Sequence, residues 1–478
     1  MKYGALLAGV LVLAACSSPE PSTGSSAEPG RELAGKVTAD GMYVHLQKFA
    51  DIAKANNGSR ADGTPGYDAS VDYVAAVLRD KGFDVQTPEF DRLSVTDPGK
   101  PTLSLPGRTF PVDQASLLVT TPPGGLSAVT LRPSKPAGCT ASDYRGVDVH
   151  GAIAVVDDTG CSVVDKEKVA VGAGAVGLLV ASDSETAGVP RGLFTPGYYQ
   201  QLKGPVGVIA ADADAALRRT DDPVRLTLDA KGATVTSRSV VAQTKTGATG
   251  NVIVTGAHLD SAPASPGIND NATGAAAVLE TAVQLGGSPQ VTNAVRFAFW
   301  GGHEAGLAGA TKNVQNLGPA GLKDIAMYLD FDLLGSPNAG FFTHDGDQSG
   351  QPNPAVPAAS VPTGSAGIER TLAGYLNLAG VRPADTPLGG ASDYSPFLST
   401  GIPIGGLTTG STQLKSALQQ RLWGGETGIP FDMNYRSARD GIDNVDRRAL
   451  SITGPAVAFA VGTYATSTEG ANGVPPRS

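Results

Sequence analysis

The chain has 478 residues, of which 41% are hydrophobic, 17% charged and 6% aromatic, enough for about three domains at roughly 150 residues each. Its 62 glycines and 34 prolines stay below the roughly one-quarter share that marks low complexity throughout, which excludes a mainly disordered or fibrous protein. The formal net charge is -9 and no basic run is present, so a phosphate backbone would find no electrostatic footprint and nucleic acid is not expected as a partner.

Residues 1–15 read as a secretory signal. Lys2 supplies the charged start, and Ala5 to Val12 form an apolar core too short for a bilayer, which takes about 20 residues. The segment ends Leu13-Ala14-Ala15-Cys16, which resembles the lipobox of bacterial lipoproteins, where the cysteine becomes the lipidated first residue. Residues 16–35 follow as the lipidated Cys16 and a flexible tether of Ser, Pro, Gly and Glu with little to bury. No later stretch approaches the run of about 18 apolar residues that a membrane helix needs. Membrane contact is therefore expected through the lipid anchor only, with the body outside the cytoplasm. In that oxidising compartment Cys139 and Cys161 can pair.

Over residues 37–85 two amphipathic helices flank NGSRADGTPGYDAS, with apolar positions at Tyr43, Leu46, Phe49 and Ile52 and then at Val71, Val74, Ala75, Val77 and Leu78. Between about 110 and 230 short β runs alternate with turns (GAIAVVDD, GLLVAS, VGVIAAD) around a small-residue helix, VAVGAGAV. From about 236 strands VVAQTKT, NVIVTGAH, AVRFAFWG, AMYLDFDLLG and IPIGGLTTG alternate with helical stretches over 272–285, 305–317, 366–379 and 446–465. That alternation implies an α/β sheet covered on both faces. Phe299 and Trp300, on an apolar strand, are expected in the core.

Acidic and imidazole groups recur where these strands finish. His258 and Asp260 follow NVIVTGA, Asp270 lies in GINDNATG ahead of a helix, His303 and Glu304 follow AVRFAFWGG, and Asp330 and Asp332 close AMYLDFD. Ligands of open α/β sheets gather at the carboxyl ends of strands, and neutral imidazole with carboxylate oxygen is a zinc donor set. Any one of these residues has a plainer explanation, such as an Asp capping a helix; their recurrence is what points to a metal. No G-x-S-x-G elbow is present, which argues against a serine hydrolase.

The blocks GAHLDSAPASPGINDNATGAAAVLE, FAFWGGHEAGLAGA, LDFDLLGSPN, GGASDYSPFLSTGIPIGGL and GIPFDMNYRSARDGIDNV resemble the successive blocks of the bacterial secreted zinc aminopeptidase family. The match spans most of residues 37–465. GAIAVVDDTGCSVVDKEKVAVGAGAVGLLVAS resembles the protease-associated domain often inserted in these enzymes. The resemblance implies an α/β fold, a mixed β-sheet sandwiched by helices, with a small α/β protease-associated domain over 111–232. The peptidase parts would then be 36–110 and 233–468, with a tail at 469–478, and a Cys139–Cys161 disulfide is implied.

Carried over by position, the resemblance makes His258 and Asp332 ligands of a first zinc, Asp270 a bridging carboxylate and Glu304 a ligand of a second zinc. It has Asp260 fixing the imidazole tautomer of His258, Tyr435 supplying a carbonyl-polarising hydroxyl, and Tyr394 lining the substrate pocket. NGSRADGTPGY, residues 57–67, resembles an N-terminal loop near the site. Asp393 is expected to be structural, and His344, in FFTHDGDQSG, to lie in an exposed loop.

Two positions depart from the family pattern. His303 stands where the family has its general-base Glu, and Arg436 stands where the family has its last ligand His. The five histidines are His45, His150, His258, His303 and His344, so no later imidazole can substitute. One zinc is expected rather than two, with the Arg436 guanidinium, permanently protonated, in the second ion's place beside Glu304. His303 can serve as a general base, ligate metal or fill space; a neighbouring zinc and arginine would keep it neutral. The function implied is a cell-surface lipoprotein that hydrolyses N-terminal residues from peptides through metal-activated water. The alternative is an inactive relative that holds peptides without cutting them.

Overall fold

The computed structural model describes residues 27–182, 193–195, 197–351 and 353–475. The signal segment, Cys16 and the first part of the tether lie outside them. The main body is built on an eight-stranded mixed sheet in the order Asp84–Gln86, Val240–Gln243, Asn293–Trp300, Ala248–His258, Ile325–Phe331, Ile404–Thr408, Phe342–His344, Ala384–Thr386. The four strands from Asn293–Trp300 to Ile404–Thr408 run parallel, and antiparallel pairings flank them on either side.

Side chains of successive strand residues point to opposite faces, and the core divides accordingly. Ile253, Val295, Phe297, Phe299, Met327 and Leu329 face one layer, with residues of Ala39–Ala55, Pro65–Asp80, Thr273–Leu285 and Arg447–Thr466. Val252, Val254, Ala298, Trp300 and Tyr328 face the other, against Ala308–Lys323 and Tyr394–Ser399. Phe299 and Trp300 are fully buried. Every residue of Ile325–Phe331 is buried, as expected of a parallel strand covered on both faces. Arg447–Thr466 is long and apolar enough to cross a membrane, contrary to the expectation that no later stretch would be, but it serves as a core helix with most of its surface packed inside the fold.

Several sequence-based boundaries move. Residues 27–36 are not tether: Ala27–Lys36 is a helix with Gly30, Leu33 and Ala34 buried against Arg447–Thr466. A Cβ at Gly30 would lie 2.3 Å from Thr463 Oγ1, so the missing side chain lets the two helices approach. Thr102–Leu105 and Arg108–Pro111 belong with the insert rather than with residues 36–110, because Thr102–Leu105 pairs with Val224–Thr227. The insert carries this four-stranded sheet and a five-stranded one centred on Ile153–Asp157 and Gly177–Ala181. It joins the body through the antiparallel ribbon Glu89–Asp97 and Lys231–Arg238. Cys139 and Cys161 form a disulfide, with a Cα separation of 5.9 Å. His344 is not in an exposed loop: it ends the strand Phe342–His344, is buried, and burial pushes its imidazole down to about 4. The short strands Phe342–His344 and Ala384–Thr386 lacked the apolar alternation that marks a strand in sequence.

Candidate metal and catalytic site

The parallel strands end together, and their carboxyl ends bring the chemistry to one place. His258 is the last residue of Ala248–His258, and Asp332 follows Ile325–Phe331. His303 and Glu304 sit in the turn after Asn293–Trp300, and Asp270 precedes the helix Thr273–Leu285. His258 Nδ1 lies 3.0 Å from the main-chain oxygen of Asp260. That acceptor holds the proton on Nδ1 and turns the Nε2 lone pair toward Asp270 Oδ1 at 3.3 Å and Asp332 Oδ1 at 3.6 Å.

Asp260 meets His258 through its main chain. Its carbonyl fixes the tautomer, while its carboxylate, 3.7 Å from the ring nitrogen, accepts the main-chain N–H groups of His303 and Glu304, both at 3.1 Å. A single side chain thus links the His258 strand end to the turn that carries the next two site residues.

Among the described residues, His258 Nε2, Asp270 Oδ2, Glu304 Oε1 and Asp332 Oδ1 are buried polar atoms with no hydrogen-bond partner. Buried polar groups are normally paired, and converging lone pairs of one imidazole and two carboxylates fit a divalent cation of zinc type. Without one, burial alone would lower the His258 pKa, but Asp270 and Asp332 outweigh it and raise the pKa well above the ordinary value.

Arg436 faces the other half of this cluster. Its Nη2 donates to Glu304 Oε2 at 2.7 Å and its Nε lies 3.6 Å from Asp270 Oδ2. Its backbone is left-handed, with φ 53°, a conformation that costs a non-glycine residue roughly 1–2 kcal/mol. Burial raises the pKa of Glu304, as does Asp270, while His258 and Arg436 oppose the shift. Tyr435 is half-buried beside the guanidinium, 5.0 Å from its ring centre, and burial with Asp270 and Asp332 nearby raises its hydroxyl pKa, keeping it a neutral donor.

His303 has a partner that sequence reasoning missed. Its Nδ1 donates to Asp393 Oδ2 at 2.9 Å. A carboxylate can only accept, so Nδ1 carries the proton, and in the neutral imidazole Nε2 of His303 is the acceptor. Without a bound cation, burial and His258 lower its pKa, but Asp393 and Asp332 prevail and lift it to about 9; a cation bound beside it would push it back toward the neutral imidazole. The rings of His258 and His303 stack at 3.8 Å and 12°. Ring lone pairs lie in the ring planes, so two stacked imidazoles direct them side by side and do not converge on one ion at about 2.0–2.1 Å. Although His258, His303 and Asp332 each bring a ligand-type atom within 4.8 Å of the others, the stacking assigns His303 a place beside the cation set, outside it.

Tyr394, expected to line the substrate pocket, is closed off from solvent. It is 4% exposed, its hydroxyl accepts the Gly389 N–H at 2.6 Å, and its ring lies 4.9 Å from that of His344, so it supports the wall from behind. The loop 57–67 does reach the site. Arg60 is fully buried and donates to the carbonyl oxygens of Leu259, Pro266 and Gly267 at 2.7, 3.0 and 2.6 Å, tying down the loop between His258 and Asp270. Asp440 accepts the N–H groups of Asn269 and Asp270 and holds the Asp270 backbone. The one cue in sequence for Arg60 is a lone arginine among small polar residues; Asp440 had none.

The family model described as Peptidase family M28 matches residues 239–461, and that of the PA domain matches residues 126–223. The chain is 47% identical over 463 residues to a probable lipoprotein aminopeptidase of Mycobacterium tuberculosis, covering 96% of this chain and 91% of that one. It is 36% identical over 451 residues to an aminopeptidase of Pseudomonas aeruginosa, covering 91% and 82%. Among solved structures, a zinc aminopeptidase from Bacillus subtilis shares the fold at a TM-score of 0.52 and 23% identity, across 92% of this chain and 98% of that one.

Proposed function

Because this chain belongs to peptidase family M28 and carries an inserted PA domain, we propose that it is a metallo-aminopeptidase in which one zinc ion works beside a fixed arginine cation. The observation that carries this reading is the contact of the Arg436 guanidinium with both Glu304 and Asp270. His258, Asp270 and Asp332 would hold the zinc. Bound there, it supplies Lewis-acid polarisation of the scissile carbonyl and a lowered pKa for water.

The remaining work falls to the chain's own residues. Asp393 keeps the His303 proton on Nδ1, so that Nε2 can take a proton from the attacking water and later return it to the leaving amine. The neutral Tyr435 hydroxyl donates to the oxygen that gains charge. Glu304 has one oxygen engaged by Arg436 and the other, Oε1, without a partner, which suits it to accept from the α-ammonium group of a peptide.

We also place the body outside the cytoplasmic membrane on a lipid anchor at Cys16. The lipobox-like Leu13-Ala14-Ala15-Cys16, the Cys139–Cys161 disulfide and the name of the Mycobacterium tuberculosis relative support this.

Elemental analysis of the purified protein together with an assay of residue release from peptides tests the proposal. One zinc per chain with zinc-dependent turnover is expected. Two ions at full occupancy would end the substitution idea, and absence of turnover at high enzyme concentration would make the chain a peptide-binding module.

A further inference from the structure

A groove of about 440 Å³ runs between the PA domain and the peptidase body, within the roughly 300–1,000 Å³ of small-ligand pockets. Phe194, Tyr198 and Tyr199 line it from the insert, and Ala305, Gly306 and Lys312 from the body. The rings of Phe194 and Tyr198 stand 4.6 Å apart, those of Tyr198 and Tyr199 5.9 Å apart.

The floor is continuous with the site. Ala305 and Gly306 directly follow Glu304, and the N–H of Gly306 donates to the carbonyl of His303 at 3.1 Å, so the backbone that presents the two site residues also forms the groove. Arg92, in the groove wall, is already paired with Asp62. Lys312 has no ion pair among the described residues and lies on the helix Ala308–Lys323, four residues after its start.

Resting on the aminopeptidase reading above, we propose that this groove binds the residues that follow the scissile bond of a short peptide, with the aromatic side chains packing on them and Lys312 meeting the terminal carboxylate. An exopeptidase that seats the amino terminus among Glu304 and Asp270 must lead the rest of the peptide outward, and the groove opens from the same turn. Aromatic rings supply broad apolar contact with little sequence demand, which suits a peptide of varied composition. The chain would therefore favour tripeptides over single-residue amides.

The test compares kcat/KM for a tripeptide, its C-terminal amide and a single-residue chromogenic amide in the wild type, Tyr198→Ala and Lys312→Ala. Tyr198→Ala is expected to lower the ratio of tripeptide to chromogenic amide about tenfold. Lys312→Ala is expected to erase the preference for the free carboxylate over the amidated tripeptide. Equal loss on all substrates, or unchanged ratios, overturns the proposal. Should the wild type hydrolyse none of them, the aminopeptidase reading fails separately. The groove is then judged by fluorescence anisotropy with a labelled tripeptide, where weaker binding by both variants supports it and equal binding overturns it.

Discussion

Around His258 the site leaves buried lone pairs without hydrogen-bond partners, on His258 Nε2 and Asp332 Oδ1. Around Glu304 the carboxylate is answered by the guanidinium of Arg436 at 2.7 Å. Both halves gather acidic groups near the ends of the same parallel strands, yet one half offers lone pairs to a cation and the other brings its own. On the one-zinc reading proposed above, a permanent side-chain charge takes up the repulsion between carboxylates that a second metal would neutralise. An exchangeable cation is tuned by supply and can be chelated, whereas a covalently attached one cannot leave.

The strongest challenge to this contrast is Asp270→Ala, which removes the one carboxylate that faces both halves. Zinc affinity should fall by more than the roughly 10–100-fold of an outer-shell loss, with hydrolysis lost in step; a variant that keeps its zinc would show that the two halves do not share Asp270.

His303→Ala should next lower kcat by about 10²–10⁴-fold while zinc content stays at the wild-type value, and Asp393→Asn should lower it less. Zinc lost along with activity in His303→Ala would instead make His303 a ligand.

Converting the arginine half to the other kind, Arg436→His, is expected to raise bound zinc from one to two per chain in equilibrium dialysis. With His303→Glu added, turnover should rise by about 10²-fold or more. An unchanged metal count would mean that the second half cannot hold an ion even with its imidazole restored.

The smallest effect is on stability. Arg436→Met leaves Glu304 facing Asp270 without a countercharge. Because the Arg436 side chain is 43% exposed, solvent screens the pair and the loss should be only about 1–2 kcal/mol in chemical denaturation. No shift at all would make the contact incidental to the fold.

The course of the main strands could be read from the chain because a parallel strand buried on both faces is a local signal, an apolar run such as NVIVTGA or AMYLDF. The polar residues that end or follow these runs could be read with them, so His258, Asp270, Glu304 and Asp332 could be named as candidates, and the fold brings them together. The helix Ala27–Lys36 was missed because its Ser-, Pro- and Gly-rich surroundings carry no pattern; only its packing on Arg447–Thr466 makes it a helix. Tyr394 sat in a recognisable loop, but which way its ring turned depended on a Gly389 N–H and on His344, a residue brought beside it by a strand too short to announce itself.

What the chain itself determined was the inventory: which donor types stand at which strand ends, and that residues 303 and 436 break the expected pattern. Only the tertiary structure decided what those two residues touch, because a hydrogen bond from His303 to Asp393 joins positions 90 residues apart and the Arg436 contact with Glu304 spans still more of the chain. Contacts of that range arise from how sheets and loops pack, and a sequence window holds no trace of them. The same holds for Asp260, whose type was legible while the division of labour between its carbonyl and its carboxylate was settled by the direction its backbone takes after the strand ends.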